Sequence, residues 1–123
     1  MKIITLHNKT FEISIPEIEI SSIVHSIANQ INKSKVKDPL FIAVLNGSFL
    51  FAADIIREIN IPNCEISFIK LSSYLGDKST GKVDELIELG QNIKNRNIII
   101  LEDIIDTGNT LEKIISLLEK EEV

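Results

Sequence analysis

Ile98-Ile99-Ile100-Leu101-Glu102-Asp103-Ile104-Ile105-Asp106-Thr107-Gly108-Asn109-Thr110 is the stretch whose reading decides the fold. Four aliphatic residues in a row, Ile98 to Leu101, read as a strand buried on both faces. Two acids close it. Asp106 to Thr110 then makes a turn of short polar residues around one glycine, and Leu111, Ile114, Ile115 and Leu118 follow at helical spacing as the inner stripe of a last helix. An upstream segment has the same form. Leu40-Phe41-Ile42-Ala43-Val44-Leu45 is a continuous apolar run, Asn46-Gly47-Ser48 breaks it, and Phe49 to Ile59 resumes as an apolar helix carrying Asp54, Arg57 and Glu58. Pro62-Asn63 turns the chain into a third core strand that begins with Ile66, Phe68 and Ile69 and runs to Ser72. Buried strands alternating with helices predict an α/β fold with a mostly parallel central sheet flanked by helices, because parallel neighbours need crossovers.

Toward the N-terminus, Ile3 to His7 and Phe11 to Ile15 read as two short strands about the turn-forming Asn8-Lys9-Thr10. Ser14-Ile15-Pro16-Glu17 matches a capping box, with Ser at the cap and Glu three residues on. A helix is expected from Pro16 to Asn32, with Ile20, Ile23, Val24, Ile27 and Ile31 recurring at its period. Lys33 to Asp38 reads as a solvated turn ending at Pro39. Ser73 to Lys82, SYLGDKSTGK, cannot pack a core and is expected to be a mobile loop. Val83 to Leu89 reads as a strand, Gly90 to Asn97 as a polar connection, and Glu119 to Glu122 as a frayed helix end.

The chain has 123 residues, which is enough for one core and one domain. A net charge of -5 argues against a nucleic-acid groove or an anionic membrane surface, both of which need clustered Lys and Arg. No apolar run is long enough to span a bilayer. Met1 to Lys9 lacks the form of a signal peptide. The single Cys64, at a strand start, is expected to be a buried thiol. It makes no intrachain disulfide and suits a reducing cytosol, so a cytoplasmic location is expected. His7 and His25 lie far apart with no partner motif and read as surface residues.

In open α/β sheets ligands sit beyond the carboxyl ends of the strands. A turn that opens a helix presents unpaired backbone N–H groups, and the helix dipole adds positive potential. Gly108 can take positive φ and lets a ligand approach, and Thr107 and Thr110 offer hydroxyl donors. The result is a small phosphate cradle without a lysine. Glu102 and Asp103 then need a different target, either vicinal hydroxyls or a divalent cation carrying part of the ligand's charge. Oxygen donors and retained waters suit Mg²⁺. A simple strand-end acid pair with a helix cap is the plainer alternative, but Ile104 and Ile105, of buried type, would then be unexplained.

LEDIIDTGNT, Leu101 to Thr110, resembles the phosphoribosyl-pyrophosphate (PRPP) loop of type I phosphoribosyltransferases, in the form of the hypoxanthine-guanine branch. VLNGSFLF, Val44 to Phe51, resembles the family's pyrophosphate loop. FIKLSSYLGDKSTGKV, Phe68 to Val83, resembles its strand and flexible lid. The three motifs occur in the family's order and cover nearly the whole chain. The resemblance implies the three-layer α/β/α phosphoribosyltransferase fold as a single domain over 1–123. Its N-terminal strands and helix would occupy 1–38 and its PRPP-binding core 39–123.

It also implies roles. Glu102 and Asp103 would hold the ribose hydroxyls and Mg²⁺. Asp106 would be the general base, and Ile104, Ile105, Asp106, Thr107, Gly108, Asn109 and Thr110 would complete the PRPP site. Leu45, Asn46 and Gly47 would turn backbone amides toward pyrophosphate, commonly across a cis peptide before the second residue. Ser73 and Tyr74 would form the lid. The implied reaction is purine salvage, the Mg²⁺-dependent transfer of the phosphoribosyl group from PRPP to N9 of hypoxanthine, with guanine as a second candidate base. Self-association as a homodimer or homotetramer is implied as well.

The sequence departs from the family at Asn46 and Asn109, where many members carry Lys, and at Lys70, where others carry Arg. The family continues past the helix that ends near Val123, so the C-terminal strands, with the base-reading residues, are expected to be missing here. Two rival readings differ in class. Asp106-Thr107-Gly108 is also the aspartic-protease signature, but helical periodicity should not follow it there. A non-catalytic PRPP-sensing module on the same fold would usually bring a basic DNA-binding element, and this chain has two Arg and a negative balance.

Overall fold

The computed structural model describes residues 2–71, 83–84 and 93–123. In chain order the elements are β1 (Ile4–Leu6), β2 (Lys9–Phe11), α1 (Glu17–Lys33), β3 (Leu40–Leu45), α2 (Phe49–Glu58), β4 (Glu65–Leu71), β5 (Val83–Asp84), β6 (Ile98–Leu101) and α3 (Asn109–Lys120). The main sheet has the order β5-β4-β3-β6. β3 pairs in parallel with β4 from Leu40↔Glu65 to Leu45↔Lys70, and with β6 from Leu40↔Ile98 to Ala43↔Leu101. β5 runs antiparallel to β4. The remainder of the expected strand Val83 to Leu89, and the whole of the loop Ser73 to Lys82, lie outside the described residues.

β3 is apolar throughout because both its faces are covered. Phe41 and Ala43 pack with Val24 and Ala28 of α1, Ala52 and Ile55 of α2, and Leu101. Leu40, Ile42 and Val44 face the other way and pack with Ile69, Ile93, Ile114 and Leu118. Successive side chains of a strand point to opposite faces, so six residues in a row can serve two cores. Helices on both faces make the three-layer α/β/α arrangement. Ile93 is buried although the sequence places it in a polar connection.

The strand starts are tied together by side chains. Asn97 donates to the carbonyl of Lys37 at 2.8 Å, and Arg96 donates to the Asp38 carbonyl at 3.0 Å and to Glu65 Oε1 at 3.2 Å. Leu40 N bonds Asn97 O, and Glu65 N bonds Pro39 O. α1 and α2 are joined similarly. Asn32 Nδ2 donates to the Glu58 carbonyl, Asn32 Oδ1 accepts from Asn60 N, and His25 Nδ1 lies 2.7 Å from Glu58 Oε2.

Several sequence expectations are corrected here. The N-terminal hairpin turns at His7-Asn8, with Ile4 opposite Phe11, so β2 starts at Lys9 and ends at Phe11. His7 takes φ 53°, the left-handed value that a two-residue hairpin loop needs. Ser14 caps nothing. α1 begins at Glu17 behind Pro16, whose ψ of 155° keeps it extended and which makes no side-chain cap bond. Proline's missing N–H costs nothing there, and Glu17 and Glu19 in the first turn complement the dipole.

The inner stripes also shift. Val24 and Ala28 are buried, Ile27 and Ile31 pack beside them, and Ile20 and Ile23 are exposed. In α3, Ile114 and Leu118 are buried and Leu117 packs beside them, while Ile115 faces out. Cys64 is half-buried rather than buried. The C-terminal end is anchored, not frayed. Lys94 Nζ lies 2.7 Å from Glu122 Oε2, and Asn95 N donates to the Glu122 carbonyl at 2.9 Å.

The two neighbours Ile114 and Ile115 make a direct test. Ile114→Ala should cost about 2–5 kcal/mol, the range for emptying a packed site. Ile115→Ala should stay within about 0.5 kcal/mol. Urea unfolding of both variants measures the difference, and similar losses would contradict the assigned inner face.

Candidate functional site

Because β3 and β6 are parallel neighbours, the loops leaving their carboxyl ends emerge side by side. One is Asn46-Gly47-Ser48 before α2, and the other is Glu102 to Gly108 before α3. The two loops touch. A Cβ built on Gly47 would lie 2.5 Å from Asp103 Oδ2 and 3.0 Å from its Cγ. Gly47 is therefore required for closeness rather than for a positive φ, since among the described glycines only Gly108 has one. Gly108 caps α3 at φ 84° with open space where a Cβ would be. Its constraint is purely one of backbone, and a side chain in that region costs about 1–2 kcal/mol.

The Leu45–Asn46 peptide is cis, as the resemblance implies. The Asn46 carbonyl accepts from Phe49 N, which closes the turn. The amides of Asn46, Gly47 and Ser48 donate to no protein group among the described residues. In the second loop Glu102 is half-buried, and Asp103, Asp106 and Thr107 are exposed. Thr107 Oγ1 accepts from Asn109 N at 3.4 Å. Asn109 and Thr110 form the first turn of α3 and are exposed. Ile104 and Ile105 are 75% and 60% exposed, so the buried role expected of them fails and they rim the loop instead. Ser73 and Tyr74 lie outside the described residues.

Electrostatics single out Glu102. Burial pushes its carboxyl up from 4.5 to about 7, and the adjacent Asp103 carboxylate adds to the push, while the Asp103 N–H donating to Glu102 Oε1 at 3.2 Å opposes it. Two adjacent carboxylates that resist sharing their charge fit a divalent cation whose remaining ligands are waters and phosphate oxygens. Glu102 and Asp103 are the residues that could hold it. Among the described residues no three His, Cys, Asp or Glu side chains converge into a closed cage.

Sequence reasoning passed over Ser48. It is fully buried, the one buried polar side chain among the described residues, and its Oγ donates to the Val44 carbonyl at 2.5 Å. The available signal was a hydroxyl set between an apolar strand and an apolar helix.

A family model for the phosphoribosyl transferase domain matches residues 16–123. The chain belongs to the phosphoribosyltransferase family. It is 38% identical over 113 residues to a hypoxanthine phosphoribosyltransferase of Salmonella typhimurium, covering 89% of this chain and 63% of that protein. A Staphylococcus aureus hypoxanthine phosphoribosyltransferase crystal structure superposes with a TM-score of 0.78 at 34% identity, covering 91% of this chain and 61% of that one. A Trypanosoma cruzi hypoxanthine phosphoribosyltransferase in complex with the product IMP gives 0.76 at 30% identity, covering 90% and 61%. The chain thus spans less than two thirds of the length of these relatives. No described helix is long and apolar enough to cross a membrane.

Two outcomes test this candidate site. Gly47→Ala should displace the Asp103 carboxylate and weaken divalent-cation binding measured by calorimetry, with little change in the urea midpoint. A large loss of stability with binding intact would contradict the contact.

The second concerns pH. The folded state holds the Glu102 proton more tightly than the unfolded state does. Its contribution to stability is therefore full below about 4.5 and is lost as pH rises through about 7. Glu102→Gln should flatten urea midpoints across that window, and an unchanged slope would rule Glu102 out.

Proposed function

We propose that the protein transfers the 5-phosphoribosyl group from PRPP to N9 of hypoxanthine, releasing pyrophosphate and forming inosine monophosphate, with guanine as a second base. The contact of Asp103 with Gly47 carries this reading, because it joins the acidic loop to the loop of free amides at neighbouring strand ends. The names of the relatives support the substrate class. The chain acts as one phosphoribosyltransferase domain, with residues 39–123 as its PRPP-binding core. The setting is cytosolic purine salvage by a homodimer or homotetramer.

Each residue's role follows from its chemistry. The backbone of Asp106 to Thr110 and the hydroxyls of Thr107 and Thr110 wrap the 5′-phosphate at the N-terminus of α3. Glu102 and Asp103 accept hydrogen bonds from the ribose hydroxyls and hold Mg²⁺, which when bound offsets charge on the leaving pyrophosphate. The amides of Asn46 and Gly47 face that pyrophosphate. As the C1–O bond to pyrophosphate breaks and the C1–N9 bond forms, positive charge gathers on the sugar, and Asp106 handles the proton at N7 of the purine. Ile104 and Ile105 line the edge of the PRPP loop. The lid role of Ser73 and Tyr74, which would exclude water, rests on the sequence resemblance.

Mixed with PRPP, Mg²⁺ and hypoxanthine, residues 1–123 should bind PRPP and form inosine monophosphate and pyrophosphate only weakly. Asp106→Asn should lower turnover by about 10²–10⁴-fold, the usual worth of acid–base help, with PRPP binding retained. PRPP binding without transfer to any purine would make the domain a regulatory sensor. Failure to bind PRPP at all would end the reading.

A further inference from the structure

The hydroxyl of Ser48 is in an unusual place for a residue at a helix start. Ser48 is the N-cap of α2, and a capping serine usually sits in extended backbone with its Oγ accepting from an amide of the first turn. Here Ser48 has helical backbone, φ −82° and ψ −3°, and makes no side-chain cap bond. Its Oγ is turned inward and donates to the carbonyl of Val44, four residues back, while its own carbonyl accepts from Ala52 N at 2.7 Å. The side chain is fully buried. One residue therefore fastens both ends of the loop: the hydroxyl holds the end of β3, and the carbonyl starts α2. The Asn46–Gly47 segment, whose amides have no partner among the described residues, is strung between these two bonds, with the Asp103 carboxylate against it.

We infer that Ser48 is a positioning residue for the pyrophosphate half of the substrate: its inward hydroxyl sets the loop so that the Asn46 and Gly47 amides converge on one anion. The inference rests on the reading of this loop as the pyrophosphate side. Two features support a positioning role over simple satisfaction of a buried carbonyl. The hydroxyl is spent on the loop rather than on the helix cap, where it would stabilise α2. The residue also touches the loop whose amides are free, not a remote part of the core. A displacement of about 1 Å in a group that orients substrate can cost about a hundredfold, so a single internal bond is enough to matter.

The test separates the two halves of the substrate. Magnesium pyrophosphate and ribose 5-phosphate are titrated separately by calorimetry into the unsubstituted protein, Ser48→Ala and Ser48→Cys, with thermal unfolding recorded for each. The expected result for Ser48→Ala is an affinity for pyrophosphate lower by about tenfold or more, with ribose 5-phosphate affinity unchanged. Ser48→Cys, of similar size with a weak donor, should fall between. Equal weakening for both ligands, in step with lost thermal stability, would show a merely structural serine and overturn the inference alone. Unchanged pyrophosphate affinity in Ser48→Ala would overturn it too. Absence of pyrophosphate binding by the unsubstituted protein would overturn the reading of the loop and this inference together.

Discussion

β3 is held on both edges by parallel partners and on both faces by helices, and every other part of the molecule takes its place from that. Its hydrogen bonds to β4 and β6 set two registers at once. Its alternating side chains feed two separate cores, Phe41 and Ala43 beneath α1 and α2, Leu40, Ile42 and Val44 beneath α3. A slip of one residue would exchange those faces and put Phe41 where Ile42 packs. The side-chain ties from Arg96 and Asn97 to the strand starts hold the same register from the other end. Fixing the register fixes where the strands stop, and the functional loops begin where they stop.

At those strand ends the chemistry is a meeting of opposite polarities. Backbone amides without partners among the described residues lie on one loop and carboxylates on the other, joined at Gly47 and Asp103. Neither arrangement is comfortable alone. Burial raises the Glu102 carboxyl, and the neighbouring Asp103 carboxylate adds to the rise. On the proposed function, a ligand bearing both phosphate and hydroxyls, accompanied by a cation, would relieve both sides together. On that same proposal the acidic pair and the phosphate cradle belong to one site, although side by side in sequence they look contradictory.

Much of this was readable in advance, and the failures have physical causes. β3, α2, β4, β6 and α3 were placed within about two residues, an ordinary boundary error for short elements. Runs such as Leu40 to Leu45 are long, apolar and bounded by turn residues, so propensity and burial agree. The N-terminal segment misled because its apolar residues are exposed in the fold. Ile4, Leu6, Phe11, Ile20 and Ile23 carry a pattern without a core behind it. The capping box at Ser14 failed because Pro16 holds the chain extended until the helix begins. Ile115 looked like core because its spacing allows it, but Leu117 is the residue that packs beside Ile114 and Leu118 in the fold.

Sequence alone was enough to determine the alternation of strand and helix, the two loops that matter, the use of glycine at Gly108, and the family. These depend on local composition and on short-range order, which neighbouring residues express directly. Tertiary structure alone decided that Gly47 serves closeness while Gly108 serves φ, that Asp103 rests on the opposite loop, that Glu102 holds its proton near neutrality, and that Ser48 turns its hydroxyl inward. Each of these depends on groups brought together from strands far apart in the chain, and distance in space is set by the sheet register, which no local stretch of residues contains.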